Sequence, residues 1–237
     1  MKPLLIGHRG AMGLYPENTL MSFRAALGFR EVSMVELDVY CLPTGELVVI
    51  HDDKLDRTTD GTGYVMEKAF SYIRSLDAGK GERVPTLDEV LDLVDRKAQV
   101  NIELKGEHTA EAVAVVIRQR LAKGWKPGDF LVSSFNHIEL ARFKAGMPEI
   151  RIGVLLVGIP LGYAKYAADM GAYSINPSNE FIDQEFVDDA HRRGLNVYCW
   201  TLKDADEIRR MARLGVDGIF VNDPGMAMEA LAALANR

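Results

Sequence analysis

Two short segments carry charged side chains where apolar ones would be expected. "VELDV" (35–39) places Glu36 and Asp38 two residues apart, and "NIELK" (101–105) does the same with Glu103 and Lys105. In an extended strand, residues i and i+2 face the same side, so the members of each pair point together. Burying a carboxylate in such an apolar run costs roughly several kcal/mol unless a cation offsets it. Taken singly, each is a salt-bridge partner or a helix cap. Three converging carboxylates repel one another, and a hard divalent cation with oxygen ligands, Mg²⁺ or Ca²⁺, relieves that repulsion. Glu36, Asp38 and Glu103 are therefore the candidate metal ligands.

Two histidines close similar segments. His8 follows "PLLIG", and His51 follows "ELVVI". Imidazoles titrate near neutrality, so a pair of them suits general acid–base chemistry, one taking a proton and one giving it. Arg9 and Lys105 stand beside the acidic and imidazole groups. Arg offers a two-pronged fork for phosphate oxygens, and Lys a point charge. Gly7 and Gly10 flank His8 and Arg9 in "GHRG", which gives the backbone freedom there. His108, His137 and His191 fall at helix starts or within helices and are read as solvated or capping.

These residues need a scaffold that gathers strand ends. Apolar runs at 3–8, 34–40, 46–51, 98–104, 130–135, 150–157, 172–177, 195–201 and 218–223 read as strands. Several are nearly continuous in apolar residues, as strands covered on both faces are. Amphipathic segments lie between them. One opens with Thr86 and Glu89 after Pro85, the pattern of a capping box. The turn "LPTGE" lets the third run fold back on the second as an antiparallel hairpin. Strand–helix alternation argues for a parallel sheet, and the count fits a (β/α)8 TIM barrel. The polar, Gly-bounded stretch 52–84 breaks the rhythm. It is expected to be a small insertion after strand 2, with one helical piece near 67–76, within a single domain spanning 1–237. In such a barrel the C-terminal strand ends form the site, and every candidate residue lies at one.

The whole chain, 237 residues with 48% hydrophobic and 26% charged residues, is long enough for one such barrel. A net charge of −6 gives no general attraction to nucleic acid or to anionic membranes. The start "MKPLLIGHRG" has an apolar run too short for a signal segment, and no run reaches membrane-spanning length. Cys41 and Cys199 lie in apolar contexts and read as buried thiols in a reducing compartment, so a cytoplasmic location is expected.

Together the motifs resemble the glycerophosphodiester phosphodiesterase family. The matching pieces are "GHRG", "PENT" (16–19), "ELD" (36–38), "HD" (51–52) with "LDRTTDGTG" (55–63), "PTLDE" (85–89), "NIELK", "SSF" (133–135), "YCWT" (198–201) and "GVDGIFVNDP" (215–224). They run in the family's order over nearly the whole chain. The resemblance implies a barrel with an insertion after strand 2 and a divalent metal on Glu36, Asp38 and Glu103. It implies His8 and His51 as the acid–base pair, with Arg9 and Lys105 on the phosphate. Trp200 resembles the family's aromatic at the glycerol end of the site. The implied reaction is metal-dependent hydrolysis of a small-molecule glycerophosphodiester to sn-glycerol 3-phosphate and an alcohol. "VND" replaces the Thr-Asp pair of many relatives, which leaves Asn222 without an assigned role. Which histidine is the base stays open, as does attack by the glycerol 2-hydroxyl against direct attack by water. Two alternatives are a lysophospholipase D, with an apolar entrance supplied by Tyr64, Val65, Met66, Phe70, Tyr72 and Ile73, and a non-catalytic barrel that binds a phosphorylated ligand.

Overall fold

The computed structural model describes residues 2–235. The chain runs β1 (Leu4–Gly7), α1 (Leu20–Leu27), β2 (Val32–Cys41), β3 (Leu47–Val49), α2 (Phe70–Ile73), α3 (Leu87–Val94), β4 (Gln99–Leu104), α4 (Thr109–Ala122) and β5 (Phe130–Ser134). It continues through α5 (His137–Gly146), β6 (Arg151–Leu156), α6 (Lys165–Asp169), β7 (Ser174–Pro177), α7 (Gln184–Arg192), β8 (Asn196–Leu202), α8 (Ala205–Leu214), β9 (Gly218–Val221) and α9 (Pro224–Ala235). The strand order is β1-β9-β8-β7-β6-β5-β4-β2-β3, and a parallel β1–β2 pairing closes the ring. All pairs are parallel except β2–β3. The protein is thus an eight-stranded parallel TIM barrel. β3 is the expected extra strand, folded back on β2 with Val39 opposite Val49.

Alternation along β2 makes the two faces of the wall. Val35, Leu37 and Val39 point outward into a core shared with α1, α3 and α4, where Phe23, Val90, Leu91 and Val113 are buried. Met34 points inward, joining Ile6, Leu131, Tyr198 and Phe220 in a plug that fills the barrel interior. By the same alternation Glu36 and Asp38 occupy the inner layers above that plug. The apolar floor keeps bulk water from reaching the carboxylates from below.

Helix starts follow sequence rules. Thr86 accepts from the Glu89 N–H, and the Glu89 side chain accepts from the Thr86 N–H, the reciprocal pair expected there. α6 was not anticipated. It has five residues and follows a loop carrying Pro160 and two glycines, and that loop erases the helical period before the helix begins. Between residues 52 and 84 lie a 3₁₀ turn at Val65–Glu67 and α2, shorter than the piece expected near 67–76. Leu55, Val65, Ile73, Leu76 and Val84 pack with Tyr40, Val48 and Ile50 in a second core under the β2–β3 hairpin.

Candidate active site

β2 and β4 lie side by side with Glu36 opposite Asn101 and Asp38 opposite Glu103. The register therefore brings all three carboxylates onto one patch of the inner wall. Each offers an oxygen within 4.8 Å of the others, and all three are buried. Arg9, Lys105 and Asn18 surround them. The Arg9 backbone N–H donates to Glu36 Oε2 at 2.9 Å, and Arg9 Nε lies 3.4 Å from Asp38 Oδ2. Lys105 Nζ donates to Glu103 Oε1 at 2.9 Å and lies 3.8 Å from Asp38 Oδ1. Asn18 Nδ2 donates to Asp38 Oδ2 at 2.9 Å.

Crowding and burial act on these acids together. Burial, then the neighbouring charges of Asp38 and Glu103, raises Glu36 well above the usual carboxylate range. Burial and Asp38 push Glu103 up to about 7, against the opposing pull of Lys105. Lys105 is itself raised, because Glu103 and Asp38 outweigh the burial that works against its charge. Asp38 Oδ1 is buried without a hydrogen-bond partner, and so are both amide atoms of Asn101 two residues below Glu103. An acceptor without a donor, inside an all-oxygen acidic cluster, is a lone pair turned toward the place a hard cation would take. The residues present fit a divalent metal.

The two histidines line the same cavity, together with Arg9, Glu36, Asn101, Glu103, Phe135, Leu155 and Trp200. The cavity measures about 80 Å³. His8 Nδ1 is 2.8 Å from Asn222 Oδ1, a carbonyl oxygen that can only accept. The proton therefore sits on Nδ1, and Nε2 is left with a free lone pair. Burial first, and then Arg9, lowers the His8 pKa to about 4, so the ring is neutral at pH 7. His51 Nδ1 meets Asp52 Oδ1 at 2.6 Å. Hydrogen bonds from Arg57 hold the Asp52 carboxyl well below its usual range, so Asp52 is an anion and His51 carries its proton on Nδ1 too.

A chain of ion pairs ties these groups together. Arg57 donates to both oxygens of Asp52 and to both of Glu17. Glu17 in turn accepts from Arg9 Nη1 at 2.6 Å. Burial tends to raise the Glu17 pKa, but Arg57 and Arg9 outweigh it and the group stays ionised. "PENT" is now explained residue by residue. Glu17 joins the two arginines, Asn18 steadies Asp38, and Thr19 caps α1 by accepting from the Ser22 N–H. Glu17, Asn18, Arg57, Asn101 and Asn222 all fall within the family-like motifs, but their residue types alone assign them no role. Asn222 sits just past β9, where its Oδ1 reaches His8 across the sequence.

The glycines of "GHRG" serve packing rather than ligand approach. A Cβ on Gly10, at φ +85°, would lie 2.6 Å from the Ser22 backbone carbon, so only glycine lets this turn rest on α1. Trp200 donates through Nε1 to the Asn176 carbonyl at 2.8 Å, and its ring meets Phe135 edge-on at 5.3 Å. With Leu155 these rings form an apolar wall facing the charged one. His108 is exposed, His137 Nε2 lies 2.8 Å from the Leu155 carbonyl, and His191 pairs with Asp217; none of the three lines the cavity.

Comparison with known proteins gives a consistent picture. The chain matches the glycerophosphoryl diester phosphodiesterase family over residues 8–226. It is 37% identical to a glycerophosphodiester phosphodiesterase of Caldanaerobacter subterraneus subsp. tengcongensis, covering 94% of this chain and 96% of the relative. It is 33% identical to a glycerophosphodiester phosphodiesterase of Bacillus altitudinis, covering 95% and 96%. A solved Oleispira antarctica phosphodiesterase, in complex with the product sn-glycerol-3-phosphate, superposes with a TM-score of 0.88 at 31% identity over 97% of each chain.

Proposed function

The chain belongs to the glycerophosphoryl diester phosphodiesterase family, and from that premise we propose that its barrel mouth hydrolyses a glycerophosphodiester to sn-glycerol 3-phosphate and an alcohol. It is a phosphoric diester hydrolase. One observation carries the reading: two imidazoles, each with Nδ1 already engaged, share a small cavity with Arg9, Glu36 and Glu103, and Asp38 and Lys105 stand directly against those groups.

The roles follow from the surroundings. His8 is neutral at pH 7 with a free Nε2, so it begins as the base. His51, held through Nδ1 by Asp52, takes the complementary role and begins as the acid. The glycerol 2-hydroxyl attacks phosphorus as His8 takes its proton. The bond from phosphorus to the leaving alcohol breaks as His51 protonates that oxygen. The cyclic phosphate is then opened by water, with the two histidines exchanging tasks. Arg9 and Lys105 face the phosphate oxygens, and Phe135 and Trp200 pack on the glycerol carbons. Glu36, Asp38 and Glu103 would hold a divalent cation, Mg²⁺ or Ca²⁺, which when bound polarises a phosphoryl oxygen and neutralises developing charge. The solved relative that holds sn-glycerol-3-phosphate supports the product assignment.

The test is release of sn-glycerol 3-phosphate from a panel of glycerophosphodiesters, with EDTA and with Mg²⁺, Ca²⁺ or Mn²⁺ added. Cation-dependent release supports the reading, and a trapped 1,2-cyclic phosphate supports attack by the 2-hydroxyl. No release from any diester under any cation would reject it.

A further inference from the structure

A second, smaller cavity lies between the loop that carries Glu17 and Asn18 and the stretch that follows β3. Its polar lining is Glu17, Asn18, His51 and Thr58, and the remainder is aliphatic. It measures about 10 Å³, about the least that admits one water. His51 lines this cavity and the catalytic one alike, so the two are neighbours. Glu17, Thr58 and Ala78 also line a surface groove of about 330 Å³. The small cavity thus lies between a groove open to solvent and the catalytic site.

Two buried polar atoms of residues in that lining have no hydrogen-bond partner among the described residues: Asn18 Oδ1 and Thr58 Oγ1. Nearly all such atoms in native proteins are satisfied, by the protein or by ordered water. Asn18 is 3% exposed, so bulk solvent does not serve it. Turning its amide over does not help. Nδ2 donates to Asp38 Oδ2 at 2.9 Å, and a turned amide would set Oδ1 against that carboxylate instead. Its backbone is fixed as well, at φ +57° in the left-handed region, with the N–H donating to the Arg9 carbonyl at 3.1 Å. Oδ1 is therefore held as an acceptor on the cavity side. Thr58 can both give and accept there. Its neighbour Thr59 donates to the Leu55 carbonyl at 2.8 Å, whereas the Thr58 hydroxyl has no such partner.

An uncharged occupant suits this place. Glu17 is the acid of the lining, and both its oxygens are already bonded to Arg9 or Arg57. Two guanidinium groups held on that carboxylate oppose a bare cation beside it. A water has the right complement of donors and acceptors. It donates to Asn18 Oδ1 and accepts from the Thr58 hydroxyl, and its second hydrogen is free for the Glu17 carboxylate. That total falls within the roughly two to four partners of a buried water.

We infer that one water resides in this cavity and joins Thr58 to Asn18, and that through it Thr58 positions Asp38 for the cation. The line runs from Thr58 through the water and Asn18 to Asp38. Asp38 Oδ2 is fixed by Asn18 and Arg9 while Oδ1 faces the cation position, so the aim of Oδ1 depends on how firmly Asn18 is held. Thr58 does not line the catalytic cavity, and it acts there only as a positioning residue. The stretch 52–84 thereby gains a second hold on the site besides Arg57. The inference rests on the cation reading of Glu36, Asp38 and Glu103, not on the diester chemistry.

The experiment titrates Mg²⁺ or Ca²⁺ into the ion-free full chain by calorimetry, comparing the parent with Thr58→Val and Thr58→Ser. Valine keeps the shape and removes the hydroxyl, and serine keeps the hydroxyl. Thr58→Val should weaken cation binding roughly three- to tenfold, the share of one lost hydrogen bond, while Thr58→Ser stays within about twofold of the parent. A high-resolution crystal structure of the parent should show one water within hydrogen-bond distance of both Asn18 Oδ1 and Thr58 Oγ1, and that water should be gone from Thr58→Val. The density in the parent decides the water even where the valine variant does not fold. Equal cation affinity in Thr58→Val and the parent overturns the inference, whatever happens to thermal stability, because a hydroxyl that serves the fold alone leaves that affinity unmoved. A dry cavity in the parent, or a metal ion in it, overturns it too. None of these outcomes touches release of sn-glycerol 3-phosphate, so the phosphodiesterase reading survives them. A parent that binds no divalent cation rejects the cation reading and takes the role of Thr58 with it.

Discussion

Adding a divalent cation to the ion-free protein at pH 7 should release about one proton per cation bound. The count comes from the charges around the cavity. Glu36, Asp38 and Glu103 supply three negative charges, while Arg9 and Lys105 supply two positive ones within 3.8 Å of the cluster. One charge is left over, and one proton balances it. Glu103, pushed up to about 7, and Glu36, raised well above its usual range, share that proton. A cation takes over the same oxygens and displaces it. Isothermal titration calorimetry in two buffers of different ionisation enthalpy reads the number directly. Release should shrink as pH rises through about 7, where Glu103 gives up its proton, and affinity should rise with pH below that point. The ion-free fold carries the same signature. A carboxylate with a raised folded pKa binds its proton more tightly folded than unfolded, so stability falls as pH rises from 4.5 to about 7. For Glu103 alone that change is roughly 3 kcal/mol, and a saturating cation should flatten it. Tight cation binding at pH 7 with no proton released would refute the reasoning. Unchanged affinity in Glu36→Gln would remove Glu36 from the ligand set.

Three further outcomes are expected. His8→Ala and His51→Ala should each lower kcat at least about 10²-fold with the fold retained, and full activity in either variant excludes that histidine. Asn222→Asp keeps an acceptor for His8 Nδ1 and should retain most activity, whereas Asn222→Leu strands that donor, a loss of about 1–3 kcal/mol that reads as roughly 10- to 100-fold in kcat. Nitrogen NMR of the His8 ring should show the Nδ1–H tautomer in the parent and a mixture in Asn222→Leu; identical spectra would remove the positioning role. Thr86→Ala breaks the cap of α3 and should lower stability by about 1 kcal/mol in a urea titration without changing KM.

Much of the barrel could be read from alternation alone. Glu36 and Asp38, with Leu37 between them, announced a strand with a charged inner face and an apolar outer one, and Leu37 does pack outward. The strand ends likewise announced His8, His51, Arg9, Lys105 and Trp200. The ion-pair chain was not legible, because Arg57 and Glu17 are 40 residues apart and each is a common surface residue type. Asn222 reaches His8 across 214 residues, a contact that only ring closure creates. The exposure of Val157 escaped for another reason: it closes the apolar run 150–157, and residue type does not tell which apolar side chains the Pro/Gly loop after it will leave in water.

The salt-bridge chain through Asp52, Arg57, Glu17 and Arg9 joins loops that leave the barrel from different strands. Those loops therefore behave as one exchangeable cassette. Grafting residues 52–63 from a relative without also grafting 9–19 would strand Glu17 opposite the wrong partner and let Arg9 swing away from Asp38. Engineers who wish to alter this rim of the barrel should transplant both together.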